Sequence, residues 1–413
     1  FSGVEKKWKA IMTGKEKLQT AHVQDIWYSV PGKFEITPTS LINVHERFAT
    51  ASIVLKPNVH LLSLEKDVAR FVEFDPSLDI LNVRQNPILL IAQTLYAKKM
   101  INLPRRVFDN MMTDVETEES NVVWLFHTAR CGSTLWAQIF QTVPGWTIIS
   151  ETQFFMYTLC HAPSFKKVDI DAYAKTKEFE DIVVAYIKSY LRLVPKKNSV
   201  LWRALGVMSE HMIPVIQKRF PKHKIMLVYR DVLPSAKSYH KVMGKMPIYQ
   251  EQAKAMMRDI DNPEPRGLSR TLRLFWTSGH DPSVCIQAIK KAQLQPNIFE
   301  LYMVLWGTRI RKIQEYQQNG IKIRCIKYDQ LIEDPKLLIS KVFRHVGVSV
   351  YFVDEALKAM ERDSQAGLVF SKDNKDRDSG WVRTPGAVQR CNDFLSAMDL
   401  PLLDSEMVMK NML

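Results

Sequence analysis

The sequence contains no CxxC pair, no Asn-x-Ser/Thr acceptor and no apolar run long enough to form a membrane-spanning helix. Its cysteines number five, an odd total scattered as Cys131, Cys160, Cys285, Cys325 and Cys391. That scatter argues against both a disulfide framework and a zinc site, and it fits a reducing compartment. Long Gly/Ser-rich, Pro-rich and like-charge tracts are missing, so disorder does not dominate. No internal repeat is present, which argues against a solenoid or a propeller. A basic helix, zinc-finger spacing and an RNA-binding aromatic signature are also lacking, so nucleic acid is not the expected partner.

What is present is a chain of 413 residues with 46% hydrophobic and 24% charged residues, ordinary for a globular protein able to bury a sizeable core. A formal charge of +13 favours an anionic partner: nucleic acid, an acidic membrane surface, or a small polyanionic substrate. Residues 1–118 read as a mixed, mostly helical extension with short apolar stretches such as Ile88–Leu95, closed by the acidic run Thr113–Glu119. From residue 119 to 413 the pattern becomes regular. Short β-rich runs alternate with helical periodicity, the signature of parallel βαβ units. The predicted strands are Val122–Phe126, Thr147–Ser150, Ser199–Trp202, Lys224–Tyr229 and Ile321–Lys327. Predicted helices follow the first strand, closing at Gly145, and lie at about Val207–Phe220, Ser235–Val242, Ile298–Gln317 and Pro335–Val346. The fold class is therefore α/β, with a central parallel sheet of about five strands flanked by helices. A polar stretch at about 247–296 fits no sheet element and reads as an insertion.

The segment His127–Thr134 joins an apolar strand to an amphipathic helix, so its N–H groups and the helix N-terminus can converge on an anion. Gly132 permits close backbone approach, Ser133 and Thr134 offer hydroxyls, and Arg130 offers a fixed cation. The Lys of GxxxxGK[ST] is missing, which counts against a metal-dependent kinase. A second arrangement follows about 100 residues later, where the apolar run Lys224–Tyr229 delivers Arg230 at its carboxyl end and Ser238 comes eight residues on. Two such groups can clamp one phosphate from two sides. Glu151 follows the strand Thr147–Ser150 at the same carboxyl edge where the first loop opens, the usual ligand side of such a sheet.

These motifs resemble those of the sulfotransferases that use 3′-phosphoadenosine 5′-phosphosulfate (PAPS), a P-loop-type fold, in a style nearer the tyrosylprotein and carbohydrate branches than the typical cytosolic branch. The resemblance covers about residues 121–390. Arg130-Cys131-Gly132-Ser133-Thr134-Leu135 is similar to the 5′-phosphosulfate loop, with Cys131 an unusual occupant of its place. Arg230 and Ser238 resemble the 3′-phosphate motif. The resemblance implies donor binding by all of these, and catalysis by Glu151 as base with Arg130 and Arg203 serving the developing charge. His127, His161 and His240 are alternative bases. Tyr328-Asp329-Gln330-Leu331 resembles a Tyr-Glu-Asp-Leu element. Asp363–Gly367 and the loop Ser371–Gly386 resemble the segment that closes over the donor, where Lys372, Lys375, Arg377, Trp381 and Arg383 are candidate contacts; Tyr328 is a further candidate donor contact.

The implied reaction is in-line transfer of a sulfuryl group (the EC 2.8.2 type) to a hydroxyl-bearing acceptor, expected to be a small-molecule alcohol or phenol. It releases adenosine 3′,5′-bisphosphate and needs no metal. Rival readings are a P-loop kinase-like phosphoryl transferase and a non-catalytic module that binds adenosine bisphosphate or a polyanion. A cytoplasmic monomer or homodimer with no membrane segment is expected, with the Golgi lumen as the alternative should an anchor precede Phe1.

Overall fold

The computed structural model describes residues 2–13, 20–29, 41–115, 121–152, 170–204, 209–244, 247–258, 260, 262, 282–366, 371 and 381–413. The chain divides into two compact units. The first is Phe1–Val122 with Gly145–Val168 and Lys175–Leu205, and the second is Val123–Pro144 with Asp169–Ala174 and Gly206–Leu413.

The first unit corrects the expectation of a mostly helical N-terminal region. Strands β1 (Thr20–Ser29), β2 (Leu41–Thr50), β3 (Val59–Leu64), β4 (Val68–Glu73) and β5 (Lys99–Pro104) form an antiparallel sheet in the order β2-β1-β5-β4-β3. For β3 and β5 the physical reason is burial on both faces. All of β3 is buried and so is nearly all of β5, so the alternation of apolar and polar residues that marks a half-exposed strand is missing. The helix Lys177–Leu191 packs on β3, and the buried Tyr190 hydroxyl donates to the Leu61 carbonyl at 2.8 Å while accepting from Gln93 Nε2 at 2.9 Å. The apolar stretch noted at Ile88–Leu95 is the helix Leu89–Tyr96.

The other sheet is parallel and has five strands, β6 (Val122–His127), β7 (Trp146–Ser150), β8 (Ser199–Arg203), β9 (Lys224–Tyr229) and β10 (Ile323–Lys327), in the order β10-β9-β6-β8-β7. Each falls on a predicted strand, with β10 starting two residues later than predicted. In the first unit β7 pairs with β8, Ser150 opposite Arg203. In the second, β9 pairs with β6, His127 opposite Val228, and with β10, Lys327 opposite Tyr229. β6 is buried throughout, which is why Val-Val-Trp-Leu-Phe-His reads as a continuous run. Strand ends in register place the loops that follow β6, β9 and β10 at one edge.

The helices of the second unit follow expectation at Ser133–Gln141, Val232–Met243, Ile298–Gln318 and Pro335–Val346. The single helix expected at Val207–Phe220 is a 3-10 turn, Ser209–Met212, followed by the helix Ile213–Arg219, because Pro214 enters at the first helical turn and has no N–H to carry the earlier turn onward. Within 247–296 the described residues include helices Pro247–Arg258 and Pro282–Lys291 and no strand.

Candidate functional site

The second unit assembles the loop and the strand-end motif around one contact. Arg130 Nε donates to Ser238 Oγ at 3.0 Å, and Arg130 Nη1 donates to Gln365 Oε1 at 2.9 Å. Residues separated by 108 positions in the chain, each singled out from its own motif, are therefore hydrogen-bonded. Both of these partners are neutral, and burial pulls the Arg130 guanidinium below its ordinary pKa.

The loop is held in a left-handed backbone conformation at three of its residues. Ala129, Arg130 and Gly132 all have positive φ, at 60°, 51° and 80°. For the two non-glycine residues this conformation costs roughly 1–2 kcal/mol each and persists only because neighbours over-determine it. Runs of left- and right-handed residues direct successive N–H groups to one side, the arrangement of anion-binding nests. Gly132 caps the helix Ser133–Gln141, whose Ser133 and Thr134 are buried and whose Leu135 is partly exposed. The Cys131 side chain is buried and its thiol donates to the Val228 carbonyl at 3.2 Å, so it ties the loop to β9 and leaves only the backbone of residue 131 to face a ligand. His127 Nδ1 accepts from the Ala129 N–H at 3.1 Å, which assigns this candidate base a part in shaping the loop.

Arg230 leaves the end of β9 half-buried. Its guanidinium carbon lies 4.8 Å from the centre of the Tyr328 ring, within cation–π range, and its Nε is 3.6 Å from Asp329 Oδ1. Tyr328 also packs on Gly132. The neighbouring Asp231 is occupied elsewhere, with Lys327 Nζ at 2.9 Å and the Met407 N–H at 2.9 Å.

Of the stretch 363–386, residues 363–366, 371 and 381–386 are described. Gln365 reaches Arg130, Gln138 Nε2 donates to the Ser364 carbonyl at 3.0 Å, and Ser371 Oγ donates to Asp363 Oδ2 at 2.7 Å. Trp381 stacks on Phe299 with ring centroids 3.9 Å apart and planes 9° from parallel. Arg383 forms a bidentate pair with Asp404. Lys372, Lys375, Arg377 and His161 lie outside the described residues. His240 is buried with its ring edge-on to Phe299.

In the first unit Glu151 and Arg203 form an ion pair, Arg203 Nη2 to Glu151 Oε2 at 2.9 Å, with the arginine side chain only 1% exposed. Their backbones are joined as well, since the Glu151 N–H donates to the Arg203 carbonyl at 2.9 Å, extending the β7–β8 ladder by one residue. Glu151 has φ of 46°, and its carbonyl accepts from the Leu90 N–H at 2.9 Å. A carboxylate at a strand end in a left-handed conformation, pinned at both backbone polar groups, has its side-chain direction set by the fold.

Residues that the sequence did not mark are Gln365 as the Arg130 partner and a row on the helix Ile298–Gln318 that contacts the loop backbone. Gln365 stood within the quoted Asp363–Gly367 stretch, but nothing local distinguishes it from a solvated glutamine. Among the described residues no group of three or more His, Cys, Asp or Glu is placed to hold a metal ion, and no helix is long and apolar enough to cross a membrane.

No family model matches this sequence, and no curated protein matches it. Similar solved structures include a sulfotransferase from Alicyclobacillus acidocaldarius (11% identity, 69% of this chain and 98% of that one, TM-score 0.32). Others are the sulfotransferase domain of the Synechococcus PCC 7002 olefin synthase (12%, 69% and 95%, TM-score 0.35) and a sulfotransferase from Mycobacterium avium (12%, 72% and 83%, TM-score 0.38). At these values the likeness carries no argument of its own, and the α/β assignment rests on the parallel sheet described above.

Proposed function

We propose that this protein is a sulfotransferase that moves the sulfuryl group of PAPS to the hydroxyl of an acceptor, a small-molecule alcohol or phenol. The observation that carries the reading is the 3.0 Å contact between Arg130 and Ser238, which joins a 5′-phosphosulfate-type loop to a 3′-phosphate-type motif in one unit of the fold. The positive-φ run at Ala129, Arg130 and Gly132 supports it, since such a backbone presents N–H groups to an anion.

In this scheme Arg130, the loop amides and the hydroxyls of Ser133 and Thr134 grip the 5′ end of the donor, while Arg230 and Ser238 grip its 3′-phosphate. The acceptor oxygen bonds to sulfur as the bond from sulfur to the bridging phosphate oxygen breaks. Negative charge grows on that departing oxygen, where Arg130 and Arg203 are assigned to stabilise it. Glu151 takes the acceptor proton, and the products are a sulfate ester and adenosine 3′,5′-bisphosphate. Arg203 has a second task, holding the Glu151 carboxylate in one direction.

The test has two arms. In the first, labelled PAPS is supplied with a panel of alcohols and phenols, and transfer of the label to at least one acceptor is expected. In the second, thermal unfolding is followed with adenosine 3′,5′-bisphosphate, with ATP and Mg²⁺, and with a heparin-like polymer, because a ligand that binds the folded chain raises its midpoint. The bisphosphate alone is expected to stabilise at micromolar concentration. Stabilisation by ATP and Mg²⁺ in its place overturns the reading in favour of phosphoryl transfer, and stabilisation by the polymer alone points to a binding module.

A further inference from the structure

One face of the buried helix Ile298–Gln318 points three hydrogen-bond donors at the backbone of both phosphate-gripping segments. Tyr302 Oη lies 2.6 Å from the Thr128 carbonyl and 2.9 Å from the Ala129 carbonyl. Trp306 Nε1 donates to the Arg230 carbonyl at 2.9 Å, and Arg309 Nη1 to the His127 carbonyl at 3.3 Å. Spacings of four and then three residues put the three side chains on one stripe of the helix. All three are almost wholly buried, and the Tyr302 ring is further fixed by stacking on Tyr239 at 4.6 Å. Burial holds the Tyr302 phenol above its ordinary pKa, so it keeps the proton it donates.

Carbonyls and amides of one peptide point in opposite directions. The Thr128 amide donates to the Val228 carbonyl at 3.2 Å and the Ala129 amide to His127 Nδ1 at 3.1 Å, so the donors on carbonyls 127 and 128 lock those two peptides in place, and the donor on carbonyl 129 turns the Arg130 amide the other way, out of the core. This is what a loop with two strained non-glycine residues needs, because the hydrogen bonds made by Tyr302 and Arg309 offset the cost of φ at 60° and 51°. At the second segment Trp306 fixes the peptide after Arg230, and so the point from which that side chain starts.

Resting on the sulfotransferase reading, we infer that Tyr302, Trp306 and Arg309 are positioning residues that pre-form the two halves of the donor site from a single helix. Tyr302 and Arg309 serve the 5′ half and Trp306 serves the 3′-phosphate half. They touch no substrate atom and act through the carbonyls of residues 127–129 and 230.

The division of labour gives the experiment. Affinities of the full chain and of the variants Tyr302→Phe and Trp306→Phe are measured by calorimetry for adenosine 3′,5′-bisphosphate and for adenosine 5′-phosphosulfate, which lacks the 3′-phosphate. Each substitution removes the polar group that reaches the backbone while keeping an aromatic ring. Tyr302→Phe is expected to weaken both nucleotides by the same factor, about tenfold, since one lost buried hydrogen bond is worth about that much. Trp306→Phe is expected to weaken the bisphosphate by about tenfold and leave the phosphosulfate unchanged, a difference that general loosening of the helix does not produce. In an Arg130→Ala background the Tyr302→Phe effect should shrink, because the two act on one loop. Wild-type affinities in both variants overturn the inference, and so does an equal loss for both nucleotides in both variants. If Tyr302→Phe fails to fold by circular dichroism, Arg309→Lys reads the same loop and is judged by the same equal weakening. A wild-type chain that binds neither nucleotide brings down the sulfotransferase reading itself, and is recognised before any variant is made.

Discussion

The ring of Tyr328 occupies the space that a side chain at Gly132 would need: a Cβ built there would lie 2.5 Å from Cδ2 and 2.7 Å from Cε2 of the tyrosine. Because φ at Gly132 is also 80°, two independent constraints require glycine at this position.

Gly132→Ala is therefore expected to cost roughly 1–3 kcal/mol of stability by overpacking and to weaken bisphosphate binding by at least about tenfold as the loop shifts. Urea unfolding and calorimetric titration measure the two effects. Adding Tyr328→Ala should return part of the stability, since it removes the clash and leaves the backbone cost. An alanine variant with unchanged affinity contradicts the picture of the loop.

Arg130 and Ser238 should behave as one unit. Arg130→Ala is expected to slow sulfate transfer by about a hundredfold, near 3 kcal/mol of barrier, as loss of one electrostatic contact to a developing charge does elsewhere. Ser238→Ala should weaken donor binding by about tenfold. Their double variant should lose less than the product of the two, because residues in contact are not independent. Strictly multiplicative effects would show that the 3.0 Å contact couples nothing.

The Glu151–Arg203 pair makes different predictions for its two members. Glu151→Gln keeps a hydrogen-bonding group beside Arg203 but leaves its buried guanidinium without a counter-ion, so it should cost stability as well as lowering turnover by roughly 10²–10⁴, the range of general base catalysis. Arg203→Met strands a largely buried carboxylate and should cost about 3–5 kcal/mol of stability. Steady-state rates and unfolding curves for both variants decide the matter. Full turnover in the glutamine variant would remove Glu151 from the mechanism.

Acid should destabilise the fold through its buried imidazoles. His223 is pulled down to about 4 by burial, and its Nδ1 accepts from Trp124 Nε1 at 3.2 Å, a bond that a proton on that nitrogen would abolish. His60 is pulled down to about 3, first by burial and then by the charge of Arg192. Both folded values lie below the unfolded one, so below pH about 6.5 the unfolded chain takes up protons that the folded chain refuses. The stability these groups contribute is complete above that pH and is lost as pH falls towards their folded values, by about 3 kcal/mol for His223 on reaching pH 4. Unfolding measured at pH 7 and near 4.5 should show the decline. His223→Gln, which still offers Trp124 an acceptor, should flatten it, and an unchanged slope would assign the decline to other groups.

How far the sequence reached differed from element to element. β6 and β9 announced themselves because a strand buried on both faces is a short continuous apolar run, and three of the five parallel strands are followed by residues of distinct chemistry: the loop after β6, Glu151 after β7, Arg230 after β9. β3 has the same kind of burial, but Val-His-Leu-Leu-Ser-Leu has no such marker and no alternation, so the antiparallel sheet went unread. Tyr302, Trp306 and Arg309 were hidden for a related reason. On a helix buried nearly all round, donors aimed at backbone carbonyls look like any other core positions.

The sequence alone marked the strands of the parallel sheet and the candidate residues Arg130, Glu151, Arg230 and Ser238, because hydrophobic period, turn chemistry and motif spacing are properties of neighbours in sequence. Only the tertiary structure decided that Arg130 meets Ser238 and Gln365, that Cys131 faces the core, that Arg203 pairs with Glu151, and that one helix braces both the loop after β6 and the end of β9. Those contacts join residues tens to hundreds of positions apart. Their partners are selected by strand order and helix packing, which no local pattern encodes.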